Sequence, residues 1–133
     1  MTHLRVSEAA RFLGVSDDTV RRLLDSGQLA AGKDAAGRIT VDGTELAAYI
    51  RGLANTPTDP AHVASSARNR FVGLVTAVTA DRVMAQVELQ CGPFRVVSLM
   101  SSEAVRDLGL EPGSIATAVI KSTNVIIETK GQP

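Results

Sequence analysis

Two short stretches far apart in the chain carry the residues that could do chemistry. Ser66-Ala67-Arg68-Asn69-Arg70-Phe71 sets two guanidinium groups and a hydroxyl at the entrance to a strand-like run, and Lys121-Ser122 follows an apolar strand much later. Together they offer donors and positive charge without a carboxylate. That suits an oxygen-rich anion, because hydrogen bonds from charged donors are the strong ones and a desolvated anion lacking them is costly. Residue types alone equally allow ordinary surface ion pairs for Arg68 and Lys121, with the serines capping turns.

Other chemistries find little support. The single cysteine, Cys91, excludes an intramolecular disulfide framework and a cysteine-based zinc site, and it reads as a small hydrophobe beside a turn. His3 and His62 stand isolated in polar surroundings and read as exposed bystanders. No Cys/His nucleophile pair, metal-ligand spacing, or Walker or dinucleotide glycine pattern is present, so no catalytic residue is assigned and an enzyme is not expected. Gly73, Gly92, Gly109 and Gly113 read as turn and strand-bend positions.

Composition bounds the rest. Of 133 residues, 44% are hydrophobic but only 3% aromatic, with no Trp, so burial falls to Val, Ile, Leu and Ala in small modules. Fourteen basic and fourteen acidic residues give a formal charge of zero, and no global field steers the chain toward nucleic acid or membrane. No apolar run approaches the roughly 20 residues that span a bilayer, and the N-terminus lacks the build of a signal peptide. A cytoplasmic protein without membrane contact is expected.

The elements that must position these groups fall into two modules. In the first, Glu8 follows Ser7, a candidate cap, at the start of a helix whose apolar face holds Ala9, Ala10, Phe12 and Leu13, and Gly14 stops it. Ser16 caps a second helix carrying Val20, Leu23 and Leu24 inward, ended by Gly27. Leu29–Gly32 and Arg38–Val41 can pair around the polar tip Lys33–Gly37, and Asp42 or Thr44 can cap a third helix with Leu46, Ala47, Tyr49 and Ile50. Two helices joined by a tight Gly-Val turn match a helix-turn-helix, in which Ser16, Asp17, Thr19, Arg21 and Arg22 face DNA while Lys33 and Arg38 at the hairpin tip reach phosphates.

The stretch RVSEAARFLGVSDDTVRRLLDSGQL, continued by GRITVDGTELAAYI, resembles the winged helix-turn-helix of the excisionase and MerR-like DNA-binding families over residues 3 to about 53. The resemblance implies a second helix in the major groove and a wing on the backbone of double-stranded DNA. The family's basic excess is missing. Residues 1–53 pair Arg5, Arg11, Arg21, Arg22, Lys33, Arg38 and Arg51 against Glu8, Asp17, Asp18, Asp25, Asp34, Asp42 and Glu45, so a lone copy lacks the charge that drives non-specific binding, and two copies on one oligomer would restore affinity.

Residues 54–64, with Pro57 and Pro60, read as a linker. Beyond Ser66 the period becomes two: Val83, Ala85, Val87 and Leu89 form the buried face of a strand, Cys91-Gly92-Pro93 a turn, and Phe94–Leu99 the returning strand. Ser102–Leu108 reads as a short helix ended by Gly109. Ile115–Ile120 and Val125–Glu128 read as two further strands, apolar at nearly every position. Burial on both faces is then required, and another copy of the chain is the simplest cover. Five strands and one helix describe a small, partly open barrel of OB type. The fold class is therefore α+β in two modules: a winged helix-turn-helix at 1–53 and a small OB-like β-barrel at 65–130.

The second module, from Ser66-Ala67-Arg68-Asn69 through LMSSEAVRDLGLEPGSIATAVIKSTNVII, resembles the molybdate-binding Mop (TOBE-type) domain of molbindins, also found in ModE-type molybdate regulators. The resemblance implies that Ser66, Ala67, Arg68, Ser101, Lys121 and Ser122 bind a tetrahedral dianion, molybdate or tungstate, held partly by a neighbouring subunit. Ser101 stands where the family often has Thr, which keeps the hydroxyl. It also implies a homo-oligomer, dimer or hexamer, built through this domain. Molybdenum enters only as the oxyanion, and no separate metal site is assigned. The expected function is a molybdate-responsive transcription regulator. The alternative is a molybdate storage protein whose first module is a docking element.

Overall fold

The computed structural model describes residues 2–131, which fall into two compact units that divide between Asn55 and Thr56. Each has its own core.

In the N-terminal unit, β1 (His3–Arg5), α1 (Val6–Leu13), α2 (Asp17–Asp25), β2 (Ala31–Lys33), β3 (Ile39–Asp42) and α3 (Gly43–Leu53) follow in order. The hairpin of β2 and β3 gains β1 as a third antiparallel strand, order β1-β3-β2, with Leu4 opposite Val41. The sequence reading had not separated β1 from the helix after it. Ser7 is not the cap of α1 either: Arg5 occupies the cap position, and its backbone N–H donates to Glu8 Oε1 at 3.1 Å. Gly14, at φ 70, ends α1, and the amide of Val15 donates to Ala10 O at 3.1 Å, which fixes the tight turn into α2. Ser16 caps α2, and Asp42 rather than Thr44 caps α3, accepting from the amides of Thr44 and Glu45. Val6, Ala9, Ala10, Val20, Leu29, Val41 and Leu46 form the core. Phe12, expected inward, is 68% exposed, because Ala9 and Ala10 already fill the inner face of the short α1.

The C-terminal unit is a four-stranded antiparallel sheet, order β6-β5-β4-β7, of β4 (Asn69–Ala80), β5 (Met84–Cys91), β6 (Phe94–Ser101) and β7 (Ile115–Ile120), with α4 (Ser102–Leu108) between β6 and β7. The long β4 serves two partners: Asn69 to Leu74 pair with β7, and Leu74 to Ala80 pair with β5, with an irregularity between Val75 and Ala77. A strand shared in this way bends the sheet into a half-barrel of OB type. The alternation expected for β5 holds at Ala85, Val87 and Leu89, all buried, but Val83 precedes the strand and is 68% exposed. Gly73 marks a close approach of strands: a Cβ there would lie 2.5 Å from Gln90 O and 2.6 Å from Cys91 Sγ. Cys91 is buried, its thiol pKa raised by desolvation.

The expected strand Val125–Glu128 does not pair. After the single 3-10 turn Ser122–Asn124 the chain runs on without strand assignment, with Ile126 84% and Ile127 81% exposed. The segment pairs with neither free edge of the sheet, β6 or β7, so its apolar side chains stay uncovered in the single chain. The barrel is correspondingly open, with a trough of about 620 Å³ lined by Leu89, Val96, Met100, Leu110, Ala116 and Ile120 among others.

Candidate oxyanion site and helix-turn-helix surface

The β4–β7 register decides where the anion-site candidates lie. Asn69 pairs with Ile120, and its side-chain Nδ2 donates to Ile120 O at 3.2 Å. Arg68 and Lys121, one residue outside this pair on each strand, are therefore neighbours at one end of the sheet, although 53 positions apart in sequence. Asn69, which the sequence reading left without a role, is the clamp between the two stretches. Its place directly after Arg68 in Ser66-Ala67-Arg68-Asn69 is the sequence signal for it.

Ser66, Ala67 and Arg68 form the approach to β4. The buried Ala67 donates its amide to Ser65 Oγ at 3.1 Å, and Arg68 Nη1 donates to Ser65 O at 3.4 Å, a long bond that leaves the rest of the guanidinium exposed. Lys121 and Ser122 are exposed at the entrance of the 3-10 turn. Among the described residues, no carboxylate lies within 4.0 Å of Arg68 or Lys121. Arg70 differs: its Nε donates to Asp59 Oδ2 at 2.7 Å, so its charge is matched within the chain. Two cations at one sheet end, neither in an ion pair among the described residues, answer a dianion in charge.

Ser101 lies elsewhere. It ends β6 opposite Met84, at the end of the sheet where β4 finishes with Ala80, and it caps α4 by accepting from Ala104 N at 3.0 Å. The contour of β4 between the two ends is roughly 35 Å at about 3.3 Å per residue. One chain therefore brings Ser66, Ala67, Arg68, Lys121 and Ser122 together and leaves Ser101 out of reach.

Of the helix-turn-helix candidates, Ser16, Asp17, Arg21, Arg22, Lys33 and Arg38 are exposed and Thr19 is half-buried. Ser16 Oγ accepts from Thr19 N at 3.2 Å and lies 3.0 Å from Thr19 Oγ1, while Arg22 Nη2 donates to Thr19 Oγ1 at 3.4 Å. Asp17 and Asp18 fill the first turn of α2, and Asp18 holds Arg21 at 3.3 Å. Lys33 ends β2. Arg38 meets Asp34 across the hairpin tip at 3.0 Å, and Asp34 has its pKa lowered by the Arg38 amide first and by the Ala36 amide and Arg38 guanidinium besides. These exposed pairs are weak, so a phosphate can displace the carboxylate. Among the described residues no cluster of His, Cys, Asp and Glu fits a metal ion, and no helix is long and apolar enough to cross a membrane.

The TOBE domain model matches residues 65–127, and a helix-turn-helix domain model matches residues 4–54. Over 63 residues, 47% of this chain and 93% of the relative, the chain is 46% identical to molybdenum-pterin-binding protein 3 of Clostridium pasteurianum. It is 38% identical over 66 residues to the molybdenum transport protein ModE of Herbaspirillum seropedicae, covering 49% of this chain but 24% of that longer protein. Among solved structures, a molybdate-binding protein from Sporomusa ovata is similar at 27% identity and a TM-score of 0.49, covering 50% of this chain and 100% of its own.

Proposed function

Because this chain belongs, through residues 65–127, to the TOBE-domain family of the molybdenum-pterin-binding proteins, we propose that it is a molybdate- or tungstate-binding transcription regulator. The observation that carries the reading is the Asn69–Ile120 register, which sets Arg68 beside Lys121, neither of them in an ion pair among the described residues. Arg68 and Lys121 supply charge; the hydroxyls of Ser66 and Ser122 and the amide of Ala67 supply directed donors. A dianion with four equivalent oxygens and no proton at neutral pH asks for donors only.

A second copy completes the assembly. It brings Ser101 to the site and covers the exposed Ile126 and Ile127 and the open trough. Anion binding is then linked to association, since a ligand held between copies favours the assembled form. Paired helix-turn-helix units present two recognition helices, which offsets the balanced charge of one. Occupancy and operator binding are coupled reciprocally. Titration calorimetry with molybdate, with and without operator DNA, tests this. One equivalent per site, a constant that shifts with DNA, and little heat from sulfate are expected, whereas identical constants with and without DNA would remove the sensing role.

A storage protein is the second reading, favoured by the carboxylates that already hold Arg21 and Arg38. It predicts anion binding with no gel shift of molybdate-transport promoter DNA at micromolar protein. In the regulator, Arg21→Ala with Arg22→Ala abolishes the shift and leaves molybdate binding intact.

A further inference from the structure

Residues 55–64 lie outside both family matches, yet part of this segment is built into the C-terminal unit. Asp59 is its anchor. Oδ2 accepts from Arg70 Nε at 2.7 Å, and Oδ1 accepts both from Thr117 Oγ1 at 2.9 Å and from the Ala61 amide at 3.0 Å. Arg70 and Asp59 are mostly buried, their side chains 25% and 29% exposed. The two anchors belong to the strands that carry the two halves of the anion site: Arg70 is two residues beyond Arg68, and Thr117 is four before Lys121. Residues 60–68 are thus a loop held at both ends, by the carboxylate at Asp59 and by the Asn69–Ile120 pair. Ser66, Ala67 and Arg68 are its last three residues.

The loop shows that it is held. His62 is the one non-glycine residue at positive φ, 48°, among those described. Such a conformation costs free energy and persists where the flanking structure imposes it. Asp59 grips the chain three residues before. Its carboxyl is held down to about 2, by the Arg70 side chain first and by the Ala61 amide and Thr117 hydroxyl besides, so the grip is fully charged at neutral pH.

We propose that Asp59 is a positioning residue of the anion site: by latching onto Arg70 and Thr117 it closes the 60–68 loop and preorganises Ser66, Ala67 and Arg68 for the dianion. The assignment rests on the anion-binding reading of those residues. Without the latch the loop is fixed at one end only, and the ordering of its last residues is deferred to the moment of binding. The charge of Asp59 acts in the opposite sense, since a carboxylate near the site repels a dianion and its removal frees Arg70. The two effects therefore have different signs.

The test is a double-mutant cycle in the full chain, with molybdate titrated into the wild type, Asp59→Ala, Arg70→Ala and the double variant, after circular dichroism confirms folding. Arg70→Ala is expected to bind at least about tenfold more weakly, the factor that goes with ordering roughly one more backbone residue on binding, and Asp59→Ala to weaken binding by less, because loss of its charge offsets part of the lost order. The double variant should fall between the two single ones, because all three break the same latch and only the double leaves the local charge unchanged. Thr117→Val, a milder change of similar shape, should weaken binding in the same direction by less. Hydrogen exchange at the Ala61 amide should quicken in Asp59→Ala, showing the loop released. Tighter binding by Asp59→Ala, or affinities unchanged from a wild type that binds, would overturn the positioning role alone. A wild type that binds no molybdate would overturn the anion reading and the proposal with it.

Discussion

If Ser101 and Arg68 of one site come from different copies, two defective proteins should repair each other. Arg68→Ala removes the guanidinium from every site of its own oligomer, and Ser101→Ala removes the hydroxyl from every site of its own. In one chain the two residues lie at opposite ends of a sheet whose β4 alone runs from Asn69 to Ala80. A strand contour of roughly 35 Å far exceeds what hydrogen bonds of about 3 Å to one small anion can bridge. Unfold the two variants together, refold them at equal amounts, and copies assort at random. A site is then whole when its Arg68 comes from the Ser101→Ala chain and its Ser101 from the Arg68→Ala chain, which for symmetric pairwise interfaces occurs in about a quarter of sites. Equilibrium dialysis with molybdate, at a concentration where neither variant alone binds, should recover about a quarter of wild-type stoichiometry with wild-type affinity. The quarter holds for a dimer or a larger ring, since each site samples two chains. No recovery, with native mass spectrometry showing mixed oligomers, would refute the two-copy site. Full binding by Ser101→Ala alone would remove Ser101 from it.

Three further outcomes follow from individual contacts. Gly73→Ala should destabilise the C-terminal unit by about 2 kcal/mol or more, because the new methyl meets a paired backbone carbonyl and Cys91 Sγ at distances neither strand can open; urea unfolding should show the loss there, with the N-terminal unit unchanged. Asp42→Ala removes the acceptor for the Thr44 and Glu45 amides at the start of α3, and thermal unfolding should register a loss of about 1 kcal/mol in the N-terminal unit. The Asp59 carboxyl carbon, followed by NMR, should titrate near pH 2 rather than at the ordinary 3.8. A depressed folded value means the latch contributes stability above the unfolded pKa and loses it as pH falls through about 2, so loop protection should persist well below pH 4.

How much of this was readable without the fold depends on how far each determinant lies along the chain. Helix ends were legible because their causes are local: Gly14 and Gly109 reach left-handed φ, and the Ser16 hydroxyl accepts from an amide three residues on. The buried face of β5 was legible because Ala85, Val87 and Leu89 alternate without help from any partner. The pairing of helix-turn-helix and OB-like modules, and the two stretches proposed as half of an anion site, followed from motifs of this length.

Pairing was another matter. β1 is three residues long and exists only because β3 offers it a free edge, whereas the apolar run Val125–Glu128 pairs with neither edge strand of its own sheet, which its composition does not reveal. Asp59 looked like one polar residue in a proline-containing linker until the fold placed Arg70 and Thr117, 11 and 58 positions away, within hydrogen-bonding distance of its carboxylate. The sequence by itself determined which residues could hold an oxyanion and which turns and caps shape the units, since those rest on side-chain chemistry and contacts a few residues apart. The tertiary structure alone decided that Arg68 stands beside Lys121, that Ser101 lies at the other end of the sheet, and that Asp59 joins Arg70 to Thr117. Strand register is set by the sum of many weak pairings across the sheet, and no single residue announces it.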